Sequence, residues 1–171
     1  MLDYTETMRR LLTFPNQVNE KAARTVAAYV VAGSLAVLVS GRYWLLVPIA
    51  YGFWARVLSG PKLSPVGWLA ARVIAPRLGV PRYVAGKPKR FAQALGAVFS
   101  STALVLGLVV GSHGAADVVI TMLAVAAGLE AGFGFCLGCK AFALLMRVGL
   151  VSDDFCAECA DISGRLGVQR T

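Results

Sequence analysis

The sequence is poor in charge, and its charged residues are unevenly placed. They make up 15% of the 171 residues while hydrophobic ones make up 57%, against about 25% and roughly 45–50% in soluble proteins. The shortage lies in long, almost uncharged stretches, which argues for membrane insertion rather than an apolar soluble core. Histidine is nearly absent as well. His113 stands alone in a short turn and reads as a loop residue, so Ser-His-Asp catalysis has no support. Nor does the start resemble a cleaved signal. Asp3, Glu6, Arg9, Arg10 and Glu20 precede any apolar run, so the first apolar segment is expected to be retained. The length suits one domain.

The formal net charge is +8, but the position of the cations argues against nucleic acid. They flank apolar runs, where they set topology and meet anionic head groups. The runs predict an all-α polytopic membrane protein with four membrane-inserted helices: Thr25 to Ser40, Tyr43 to about residue 57, Phe91 to Gly111, and Ala115 to about Phe135. The first two fall short of the ~20 residues of a full crossing. They read as two short spans or as a hairpin that dips in and returns. Asp117 is expected in the first turn of the fourth helix, at its positive dipole end.

Lys and Arg distribute sixteen to one, with Arg42 alone on one side. Residues 1–24, the loop carrying Arg56 to Arg90, and the chain after the fourth run (Lys140, Arg147, Arg165 and Arg170) hold the others. The positive-inside rule then predicts a cytoplasmic-membrane protein with both termini in the cytoplasm and anionic lipids near Arg56–Arg90. Within that loop, Ser64 as N-cap and Pro65 at the first helical position predict a short amphipathic helix over 65–75, stopped by Pro76. It would lie on the membrane surface or pack on the bundle.

Cysteine is confined to two Cys-x-x-Cys pairs, Cys136/Cys139 and Cys156/Cys159. Three readings stand. The first is thiol–disulfide exchange or sulfur relay, with no cofactor. Two sulfurs at this spacing form a reducible disulfide, and a helix N-terminus favours the thiolate of the first. Glycines 132, 134 and 138 make a helix break near Phe135 plausible, and a fresh helix from Cys136 would then put that cysteine at a positive dipole end. In the tail, Ser152 would cap a short helix whose first turn holds Asp153 and Asp154, with Cys156 following. The second reading is a four-cysteine zinc or Fe–S site in an accessory subunit of a larger membrane complex. In the third the cysteines are small buried hydrophobes. Whether the chain is an enzyme stays open.

Glu130 lies inside the fourth run. An acid at membrane depth is a functional candidate, as proton acceptor or as part of a small transport module. The structural alternative is an ion pair with Lys140 or Arg90. On a straight helix Glu130 and Cys139 would face opposite sides, so coupling them requires the same break near Phe135.

Gly60-Pro61-Lys62-Leu63-Ser64-Pro65, Lys89-Arg90-Phe91-Ala92-Gln93 and Phe135-Cys136-Leu137-Gly138-Cys139-Lys140 occur in this order. On these motifs the chain, from about Asn16 to Leu150, resembles a bacterial membrane family catalogued as domain of unknown function 4395. The resemblance implies a small multi-helix membrane protein keeping company with thioredoxin-like or sulfurtransferase proteins. Its signature matches Cys136 and Cys139, and Cys156 and Cys159 fall outside it.

Overall fold

A computed structural model describes residues 14–148, and its regular elements are almost all helical. Helix α1 spans Glu20–Ser40; a 3-10 turn, Tyr43–Leu45, leads into α2, Leu46–Ser59. Helix α3 starts as Pro65–Leu69 and continues through a wide π turn, Ala70–Ile74, into Ala75–Arg77. Helix α4, Gly86–Val105, is likewise extended by a π turn, Leu106–Val110; α5 is His113–Phe133 and α6 is Leu137–Arg147.

The first helix is longer than its apolar run suggests. Asn19 caps it by accepting from the Lys21 amide at 3.0 Å, and Glu20 stands in its first turn. The charged residues at its start therefore belong to the helix, and its 21 residues reach about 31 Å at ~1.5 Å per residue. This corrects the expectation that both early segments are short, since α2 alone is. Among the described residues three helices are long and apolar enough to cross a membrane, α1, α4 with its extension, and α5.

Helix α1 packs chiefly on α5 and α2 on α4, while α4 also touches α5 and α6. The core they enclose is built from Val30, Val37, Leu46, Ile49, Phe53, Ala97, Ile120 and Leu123. Both ends of the bundle are closed by contacts between elements remote in sequence. At one end the Tyr43 ring stacks on His113 at 4.9 Å, and its hydroxyl donates to Asp117 at 2.9 Å. Two expectations change there. His113 opens α5 instead of lying in a loop, so Asp117 falls in the second turn and is held by Tyr43 rather than by the helix end.

At the other end, β1 (Gln17–Asn19) pairs antiparallel with β2 (Tyr83–Ala85), Val18 opposite Val84. No sequence signal announced this ribbon. It sets the starts of α1 and α4 side by side: the Glu20 amide donates to Arg82 O at 2.7 Å and the Gly86 amide to Asn16 O at 2.8 Å.

Helix α3 also lies at this end, with Ser64 capping it through the Gly67 amide as its sequence predicts. Pro76 does not stop it. The π turn bonds the Ala75 amide back to Ala70 O, a wider ladder that tolerates a proline one residue later. Ala70 and Ala75 are buried against Ala22 and Val26 of α1, while Trp68 and Leu69 are exposed. The helix thus packs on the bundle with one face and leaves an apolar face outside.

A candidate dithiol site at a helix break

The break expected near Phe135 is present. Helix α5 ends because Gly134 takes the left-handed conformation, φ +70°, and its amide closes on Glu130 O at 2.9 Å. Few residues other than glycine adopt that conformation cheaply. Arg24 reinforces the stop from α1: its guanidinium donates to Ala131 O at 3.1 Å and Gly132 O at 2.6 Å. A cation on carbonyls left free at a helix end opposes the negative dipole. Two residues later Cys136, in extended conformation, occupies the N-cap of α6, and its carbonyl accepts from the Lys140 amide at 3.1 Å.

Cys139 follows in the first turn of α6, so both sulfurs share one helix N-terminus. Cys136 is buried, Cys139 is half-buried, and both are free thiols. The Cys139 thiol donates to the Cys136 sulfur and holds it down to about 7; burial and Glu130 oppose that shift, and the Lys89 ammonium assists it. Cys139, as the donor, is pushed up, and its own burial adds to this. The site therefore favours one thiolate, on Cys136, and one protonated thiol, on Cys139.

Helix α6 is held here by a close approach. A Cβ on Gly138 would stand 2.6 Å from Ala92 Cα of α4, and Phe142 packs on Phe91 with ring centroids 5.5 Å apart. Together they fix the cysteines over the first turns of α4.

Those turns carry residues that sequence reasoning missed. Lys89 forms an ion pair with Glu130, replacing the Lys140 or Arg90 pairing expected for that acid; both side chains are nearly buried, 7% and 14% exposed. One turn on, Gln93 Oε1 accepts from Arg56 Nε at 2.7 Å. Arg56, itself 6% exposed, also donates from Nη1 to Ser64 Oγ at 3.3 Å and lies 4.7 Å over the Phe53 ring. The signal was available: Lys89, Gln93, Gly96 and Ser100 recur at helical spacing, a polar and small-residue face within an apolar helix. Lys140 turns away from Glu130 and stands 5.6 Å over the Phe135 ring.

Two cavities meet at Cys136. An apolar one of about 280 Å³ lies among α1, α2, α4, α5 and α6, walled by Val30, Phe53, Phe99 and Leu123, with Gln93, Glu130 and Cys136 as its polar margin. An open cleft of about 400 Å³ on the other side is lined by Glu20, Arg82, Lys89, Cys136, Cys139 and Lys140. The break thus brings Glu130 and both cysteines into one site, which a straight helix would have prevented.

Among the described residues no group of three or more His, Cys, Asp or Glu side chains could hold a metal ion. Cys136 and Cys139 offer two sulfurs. The other two of a four-cysteine site, Cys156 and Cys159, lie outside the described residues, as does the tail helix expected after Ser152.

The family model described as "Domain of unknown function (DUF4395)" matches residues 18–147. The chain belongs to this family. The match covers every described helix and ends before the tail cysteines. No curated protein and no solved structure matches the chain.

Proposed function

We propose that this member of the family is a membrane-embedded thiol–disulfide redox or sulfur-relay protein working through Cys136 and Cys139. The observation that carries this reading is the placement of Cys136 at the N-cap of α6, with the Cys139 thiol as its donor, on the wall of an open cleft. In exchange, the Cys136 thiolate attacks one sulfur of a partner disulfide; an S–S bond forms and the partner's other sulfur leaves as thiolate. Cys139 then loses its proton and attacks Cys136 Sγ, closing the intramolecular disulfide and releasing the reduced partner. Sulfur relay uses the same nucleophile: the Cys136 thiolate attacks the outer sulfur of a partner persulfide, the partner's thiolate leaves, and either a second thiolate takes that sulfur and frees Cys136 or Cys139 attacks Cys136 Sγ, closing the disulfide and expelling hydrosulfide. The tail pair, Cys156 and Cys159, is the nearest second dithiol in the chain.

The topology proposed with it is four membrane-inserted segments in a cytoplasmic membrane, with the site facing the cytoplasm. In support, of the Lys and Arg among the described residues only Arg42 belongs to the opposite end. The short α2 with its 3-10 lead reaches about 27 Å at ~1.5 and ~2.0 Å per residue, close to a hydrocarbon core of ~30 Å. Arg82 and Lys140 at the cleft suit a soluble thioredoxin-like or sulfurtransferase partner with an acidic rim, and the basic loop suits anionic lipid.

The test is a thiol count on the purified full chain, with and without reductant and chelator, and metal analysis on the same sample. A Cys136–Cys139 disulfide that dithiothreitol opens reversibly is expected. One zinc per chain, with all four thiols protected from alkylation until chelation, would establish the metal-binding accessory subunit instead.

A further inference from the structure

Cys136 borders two spaces of opposite character, and a dithiol needs two exchange partners to turn over. The cleft is polar and open, fit for a soluble protein. The other cavity is walled mostly by apolar side chains and so suits an apolar molecule, and Met122, 55% exposed on the outer surface of α5, stands in its wall. A molecule dissolved in the bilayer can therefore enter from the side. We propose that this cavity takes the ring of a membrane-soluble para-quinone, which withdraws two electrons from the Cys136–Cys139 pair; the inference rests on the thiol-redox reading above.

Size and polarity both fit. A dry cavity of about 150 Å³ lined by Leu, Ile and Phe holds a benzene ring, so about 280 Å³ accommodates a substituted six-membered ring. An apolar body with a few polar groups converging at one end is the usual form of a small-molecule site. Here those groups are the Gln93 amide, which can donate to a ring carbonyl, the Glu130 carboxyl and the Cys136 sulfur. Glu130 borders the cavity and its partner Lys89 borders the cleft, so their ion pair spans the partition between the two spaces.

The reaction balances without another reagent. The Cys136 thiolate adds to a ring carbon; a C–S bond forms and an electron pair moves onto a ring oxygen, which takes up the proton that Cys136 released. Cys139 then gives up its proton and its sulfur attacks Cys136 Sγ. The S–S bond forms, the C–S bond breaks with its electron pair left on the ring, and the second oxygen takes the second proton. The dithiol loses two electrons and two protons, and the quinone leaves as quinol.

The experiment follows the reduced full chain in detergent mixed with decylubiquinone, and in parallel with glutathione disulfide. Quinol is read by absorbance and the new disulfide is located by peptide mapping. One quinol per Cys136–Cys139 disulfide is expected. Filling the cavity by Ala126→Phe, or separately by Phe99→Trp, should lower the rate with quinone relative to the rate with glutathione disulfide at least tenfold. Oxidation by glutathione disulfide with none by decylubiquinone would overturn the quinone site and leave the thiol reading standing. So would quinone oxidation whose relative rate neither substitution changes. Failure of both oxidants to form the disulfide would sink both readings.

Discussion

The two ends of the helical bundle are built on different terms. At the far end α1 and α2 join through Gly41 and Arg42, and α4 and α5 join as tightly. Tyr43 closes that end with a ring stack and a hydroxyl shared between Asp117 at 2.9 Å and the His113 carbonyl at 3.5 Å. The near end contains what a joint does not need: a buried ion pair, a buried guanidinium, a broken helix and two cavities meeting at a cysteine. Burying charge and leaving space both work against stability. Where one end of a molecule accumulates such features and the other avoids them, the first is where function is to be sought.

The sharpest way to break this contrast is to remove its chemical centre. Cys136→Ser should abolish disulfide exchange with dithiothreitol, whereas Cys139→Ser should leave a thiol that is alkylated but no longer closes a disulfide. Mass mapping after oxidation separates the two. Their pH dependence follows from the same geometry. With Cys136 held down to about 7, its thiolate and its alkylation rate rise as pH passes upward through about 7. Cys139→Ala removes the side-chain donor altogether, which a serine hydroxyl would not, so the rise should move toward the ordinary thiol range. An unmoved profile would show that Cys139 does not set Cys136.

Next in size is the ion pair. Removing one member of a buried pair typically costs about 3–5 kcal/mol, because the other is left buried and alone. Glu130→Gln and Lys89→Met should each lower the thermal unfolding midpoint in detergent strongly. The double substitution Lys89→Met with Glu130→Leu should recover much of the loss. If Glu130→Gln instead leaves stability intact while abolishing proton-coupled uptake of a solute, the acid serves transport rather than structure. A smaller effect is expected at Gly138, where a side chain would meet the α4 backbone at Ala92. Overpacking of this kind costs about 1–3 kcal/mol. Gly138→Val should also loosen α6, which faster alkylation of the half-buried Cys139 would report.

How much of this was legible beforehand depended on the range of the signal. The break was, because glycines 132, 134 and 138 stand close to Cys136 and their consequence is local. The cap at Ser64 was legible for the same reason. The start of α1 was not, because charged residues beside an apolar run look like flanks, whereas Asn19 caps a helix that includes them. The β1–β2 ribbon is only three residues on each strand and joins segments more than sixty residues apart, too short for alternation to show. The partner of Glu130 was missed because Lys89 sits forty-one residues away inside a basic cluster that topology alone explains. Charge counting assigns Lys89 to a side of the membrane, and only packing shows that it turns inward.

The smallest predicted effect tests whether the ends are independent. Tyr43→Phe keeps the ring that stacks on His113 and removes only the hydroxyl that donates to Asp117 at 2.9 Å. Asp117 is half-buried, so water can replace part of what is lost. The cost should stay near 1 kcal/mol, the usual net value of one hydrogen bond, and appear as a lowering of a few degrees in the unfolding midpoint. Among the described residues no polar contact links Tyr43 to the cysteines, and sites with no shared partner respond additively. Cys136 alkylation should therefore keep its rate and its pH profile. A changed profile would mean that closing the far end helps to shape the dithiol site, and the division of the bundle into a joint and a working end would have to be abandoned.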